Sequence, residues 1–155
     1  MLIPITLAQG LEQQWLSGEG SSNPSSVNES GQRFADVVSQ WFSSAMALTF
    51  PCTTALARKA QLATLAGSAL ASPSAAVAGA RLGQALSVYM TGQSFGAGVS
   101  GAPVGAAAAV AAFAAVFADL EAAPEDRALQ LALGTWGLAL STQVLGPPPF
   151  PAPIL

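Results

Sequence analysis

The chain has 155 residues, enough for one domain with short tails, and a formal net charge of −3. Only 8% of it is charged, against about 25% in an ordinary soluble domain, while 52% is hydrophobic. With no histidine and a single cysteine, Cys52, it lacks the residues for Ser-His-Asp or Cys-His catalysis, His-ligated metals, CxxC sites and intrachain disulfides. The acidic balance and the absence of any basic run exclude a nucleic-acid footprint.

Residues 1–16 read as an apolar arm or short helix, interrupted by Pro4 and lacking the basic start of a secretory signal. Residues 17–30 are a Ser/Gly/Asn/Pro loop without apolar period. A helical domain is expected over 31–145. Its first helix carries Phe34, Val37, Val38, Trp41, Phe42, Ala45 and Leu48 at helical spacing, one apolar stripe opposite Asp36, Ser39 and Gln40. Further helices are expected over 53–71, 75–91, 103–122 and 124–145, with Pro51, Pro73, Pro103 and Pro124 suited to their first turns and Ser72 to an N-cap. The last of these is apolar on two faces: Leu129, Leu133, Trp136 and Leu140 on one, Leu131, Leu138 and Leu145 on the other. In so small a domain, one of those faces is expected to be buried between molecules. Residues 146–155 (GPPPFPAPIL) read as an extended Pro-rich tail. The expected fold is all-α: a compact bundle of five to six helices with the Ser/Gly-rich N-terminal loop, a Gly-rich loop at 91–103 and the extended tail.

Candidate motifs divide into structure and chemistry. Gly96-Ala97-Gly98-Val99-Ser100-Gly101 matches GxGxxG, but no buried strand precedes it and Pro103 follows at once, so a close backbone contact is the better reading. Gly79 and Gly83 form GxxxG, read as a close helix crossing rather than a membrane dimer face because Arg81 lies inside it. Asp119, Glu121, Glu125 and Asp126 read as turn and cap charges. Cys52 reads as a small apolar filler. A faint repeat pairs an arginine with a later aromatic: Arg33 with Trp41, Arg81 with Tyr89, Arg127 with Trp136. No cofactor, metal or catalytic residue is expected.

The amphipathic helix ending in a glycine-rich segment (Leu82 to Tyr89, then TGQSFGAGVSGAP), the low charge and the apolar or Pro-rich ends resemble the small Ala-rich helical virion proteins of tailed bacteriophages. The resemblance implies a non-enzymatic subunit at the neck, collar, head–tail junction or tail. Its partners would be copies of itself in a ring, together with portal, adaptor, tail-tube or terminator proteins. The chain would be made in the host cytoplasm and end in the virion. Expected contact residues are Leu2, Ile3, Ile5 and Trp15 of the N-terminal segment, Tyr89, Phe95 and Val99 around the Gly-rich loop, and Trp136, Phe150 and Pro151. Expected core residues are Trp41, Phe42, Leu86, Phe113, Phe117, Leu133 and Trp136. The alternative is a holin-like hairpin in the inner membrane built on 104–145, where the neutral runs approach the ~20 residues a bilayer needs.

Overall fold

A computed structural model describes residues 1–16 and 23–155; of the expected Ser/Gly loop, 17–22 lie outside the described residues. Among the described residues there are six helices: α1 (Pro4–Gln14), α2 (Val27–Phe42), α3 (Lys59–Leu70), α4 (Ala75–Met90), α5 (Ala106–Ala118) and α6 (Pro124–Leu140). The expectation of a purely helical chain is corrected by six short strands: β1 (Met46–Ala47), β2 (Phe50–Pro51), β3 (Ser94–Phe95), β4 (Gly98–Ser100), β5 (Gln143–Leu145) and β6 (Ala152–Pro153). The Gly-rich loop is the hairpin β3–β4, and the Pro-rich tail returns as β6 along β5. Two- and three-residue strands leave no room for the alternation by which strands are read from sequence.

The order of elements is a threefold recurrence of helix, helix, hairpin. Ser26 and Ser74 cap α2 and α4 by accepting from Glu29 N and Val77 N. Gly31 and Gly79, Arg33 and Arg81, Trp41 and Tyr89, and Leu48 and Gly96 are each 48 residues apart. In the first two units the aromatic of the second helix ties down the chain ahead of the first helix: Trp41 Nε1 donates to Ile3 O at 2.9 Å and Tyr89 OH to Ala55 O at 2.8 Å. In the second and third units the arginine reaches back to the turn between helices, Arg81 to Ser72 Oγ and Arg127 to Asp119 O, whereas Arg33 pairs with Glu29 inside α2. The order of elements thus recurs in all three units, and the 48-residue sequence register links the first two.

The three units close on themselves. The helices pack in chain order, and α6 returns against α1. The closest crossings are made where side chains are smallest. A Cβ on Gly31 would sit 2.6 Å from Gly67 N of α3, and one on Gly79 only 2.3 Å from Phe113 O of α5. GxxxG is thus an internal helix crossing in this chain. The hairpins form a matching ring at one end. Within them Cys52, Ser100 and Ile154 N–H groups donate to Ala45, Gln93 and Thr142 carbonyls. Between them Thr53, Gly101 and Leu155 donate to Ser94 (3.0 Å), Gln143 (2.8 Å) and Met46 (2.8 Å) of the next hairpin, the last bond closing the ring. These three donors, next to strands too short to pair them, are met by the neighbouring unit.

Aromatic rings fill the interior: Trp15 packs edge-on to Phe34 at 4.9 Å, and Phe42 touches Tyr89 and Phe95. Trp41, Leu86 and Phe113 are buried as expected, but Leu133 is exposed because α6 turns Leu131, Thr135 and Leu138 inward instead. Two further readings are revised. Helix α2 stops at Phe42, so Leu48 of the expected stripe is a hairpin turn residue. Of the prolines, Pro124 opens a helix as expected, as does Pro4; Pro51 is in β2, and Pro73 and Pro103 lie upstream of their helices, with Ser74 rather than Ser72 as the cap.

Candidate interaction surface

Several polar and titratable side chains are engaged in structural contacts. Cys52 is buried, its Sγ facing Gln93 Oε1 at 3.7 Å, and burial pushes the thiol pKa up, away from reactivity. Gln93, fully buried, joins the first two hairpins: its Oε1 accepts from Thr54 Oγ1 and its Nε2 donates to Tyr89 O. Burial likewise pushes the Tyr89 phenol up. Glu29 accepts from Ser25 Oγ, Ser25 N and Arg33, which together hold its carboxyl down to about 2. Among the described residues no three His, Cys, Asp or Glu side chains gather as metal ligands. A groove of about 420 Å³ runs between α2 and α3, but its two charges, Asp36 and Lys59, already pair with each other at 2.7 Å.

What the fold leaves unsatisfied is apolar surface. On α6 the second apolar face read from the sequence is outside: Leu129, Leu133 and Leu140 are exposed and Trp136 half-buried. The stripe ends at a notch lined by Met1, Leu2, Trp136, Leu140 and Leu155. From there it continues into the hairpin end of the ring, where the last turns of α2, α4 and α6 meet the hairpins and the starts of α1, α3 and α5. Among the described residues, eleven of the sixteen exposed large apolar ones lie at this end. Two form a cross-strand pair, Val99 on β4 opposite Leu145 on β5, both facing outward. Leu56 and Val104, 57% and 86% exposed, stand just ahead of α3 and α5, and Ile3 and Ile5 flank the start of α1.

The expected contact residues therefore separate into two groups. Ile3, Ile5, Val99 and Pro151 are exposed, and Trp136 is half-buried. Leu2, Trp15, Tyr89, Phe95 and Phe150 are buried within the chain itself: Leu2, Trp15 and Phe150 because the N-terminal segment and the tail close the ring, Tyr89 and Phe95 because they pack on Phe42 in the interior. Phe150 packs at 5.7 Å on Phe50, over the space that Gly96 and Gly98 leave: a Cβ there would sit 2.5 Å from Phe50 and 2.7 Å from Phe150. The Gly-rich loop does approach a neighbour closely, and that neighbour is its own chain.

Sequence reasoning missed Leu56 and Val104, although a signal existed: they are 48 residues apart, in the register of the repeat. Among the described residues no helix is long and apolar enough to cross a membrane; α5 and α6 have 13 and 17 residues. No family model, no curated protein and no solved structure matches the chain.

Proposed function

We propose that this chain is a non-catalytic structural subunit that associates with copies of itself, of the kind tailed phages place at the neck, collar or tail. The observation that carries self-association is the exposed apolar tract running from the α6 stripe into the hairpin end, on a chain with only 13 charged residues. Large exposed patches of this kind mark interaction sites in stable proteins. The placement in a virion rests on the resemblance in sequence texture. Partners in such an assembly would be further copies and adjoining virion proteins.

The test is the light-scattering mass of the purified chain across a concentration series. Self-association predicts a defined mass that is a multiple of 15.5 kDa. A 15.5 kDa species at every concentration would overturn the proposal.

A further inference from the structure

Resting on that reading, we propose which surface joins and to what: the hairpin end of the ring docks on the hairpin end of a second copy.

Three observations select this face and this occupant. The first is charge. Among the described residues the only Asp or Glu side chain that reaches toward the hairpin end is Asp36, which pairs with Lys59 at 2.7 Å, whereas Glu12, Glu29, Asp119, Glu121, Glu125 and Asp126 all lie toward the opposite end. The two cationic side chains near the hairpins are already engaged within the chain, Arg58 with the Thr91 carbonyl and Lys59 with Asp36. The amino group of Met1 likewise donates to Ser44 O. Joining two hairpin ends desolvates no side-chain carboxylate that lacks a cation, and the Arg58 guanidinium keeps its carbonyl and Gln61 partners, while a head-to-tail joint would bring the carboxylate-bearing end against an apolar one.

The second is area. Half-exposed Leu, Ile and Val side chains each show on the order of 80 Å², so the hairpin end offers roughly 900 Å² of apolar surface, against ~800 Å² per partner in a standard interface. The third is symmetry. Ile3 and Ile5, Leu56 and Val104 mark the starts of the three units, so the apolar rim recurs three times around the ring. A second hairpin end carries the same threefold rim and meets it through an isologous contact.

Two double variants test this by light-scattering mass, with circular dichroism to confirm the fold. Leu56→Glu with Val104→Glu alters the rim, and Leu129→Gln with Leu133→Gln alters the α6 stripe. All four positions are exposed, and Leu56→Ser with Val104→Ser serves as a milder rim variant if the first loses helicity. The proposal expects the rim variants to halve the mass and the stripe variant to leave a species of at least twice 15.5 kDa. Loss of association in the stripe variant with the rim variants unchanged overturns the hairpin-end contact and leaves self-association standing. A native chain that stays at 15.5 kDa overturns both, and binding of that monomer to neutral lipid vesicles would assign the hairpin end to a bilayer instead.

Discussion

The first two units and the third reach one backbone arrangement with different side chains. In the first two, hairpin residues stay in a strict 48-residue register, and the turn is made by a single residue of positive φ: Leu48 at 56° and Gly96 at 61°. In the third, β5 and β6 are joined by residues 146–151, a longer connection rich in proline. One backbone hydrogen bond from each hairpin to the next is nevertheless made in all three, although only β4 and β5 go on to pair as a ladder. The shared constraint is ring closure rather than any turn chemistry. The third unit has the additional task of meeting the first, and its larger hairpin supplies Phe150 and Ile154 to do so.

The largest effect should come from removing what is special to the third unit. Deleting 146–155 takes away β6, the Leu155–Met46 closure and the buried Phe150, Ala152 and Ile154. The expected loss is about 5 kcal/mol or more, from two large core side chains. Urea denaturation of the truncated chain measures it; a midpoint unchanged from the full chain would show that the third hairpin is an appendage. This replaces the sequence-based expectation that the tail is a free contact arm.

Next in size, Gly79→Leu forces a side chain into the α4–α5 crossing, where even a Cβ meets Phe113 O at 2.3 Å. A cost of about 3 kcal/mol is expected from overpacking. Thermal unfolding monitored at 222 nm reads the drop, and Gly31→Leu should reproduce it at the α2–α3 crossing. A tolerant Gly31 beside an intolerant Gly79 would break the equivalence of the first two units.

The smallest effects sharpen the comparison of the turns, and they should have opposite signs. Leu48→Gly relieves a left-handed leucine and is expected to stabilise by about 1 kcal/mol. Gly96→Ala introduces that strain and also presses on Phe50, so it should destabilise by about 1–3 kcal/mol. Chemical denaturation of the pair decides it; two changes of the same sign would mean that the turns are not equivalent.

Much of this architecture was legible in the residues. Helix positions followed from the apolar spacing of Phe34 to Phe42 and from the Ala-rich runs, and the arginine-to-aromatic recurrence marked each unit. The Gly79 crossing was legible too, since only glycine lets helices approach so closely. The hairpins were not, because two-residue strands carry no period. The fate of amphipathic groups was also hidden: α6 is apolar on two faces, and spacing alone does not say whether Leu131 or Leu133 turns inward.

By itself, then, the sequence determined a mostly helical, weakly charged chain without histidine chemistry, and it spaced the three units through local propensity and a repeated pattern. Only the tertiary structure decided that those units close into a ring. Closure depends on α6 reaching α1 and Leu155 reaching Met46, contacts between residues far apart in the chain. By taking the arm and the tail inward, those contacts also determined which apolar residues remain outside.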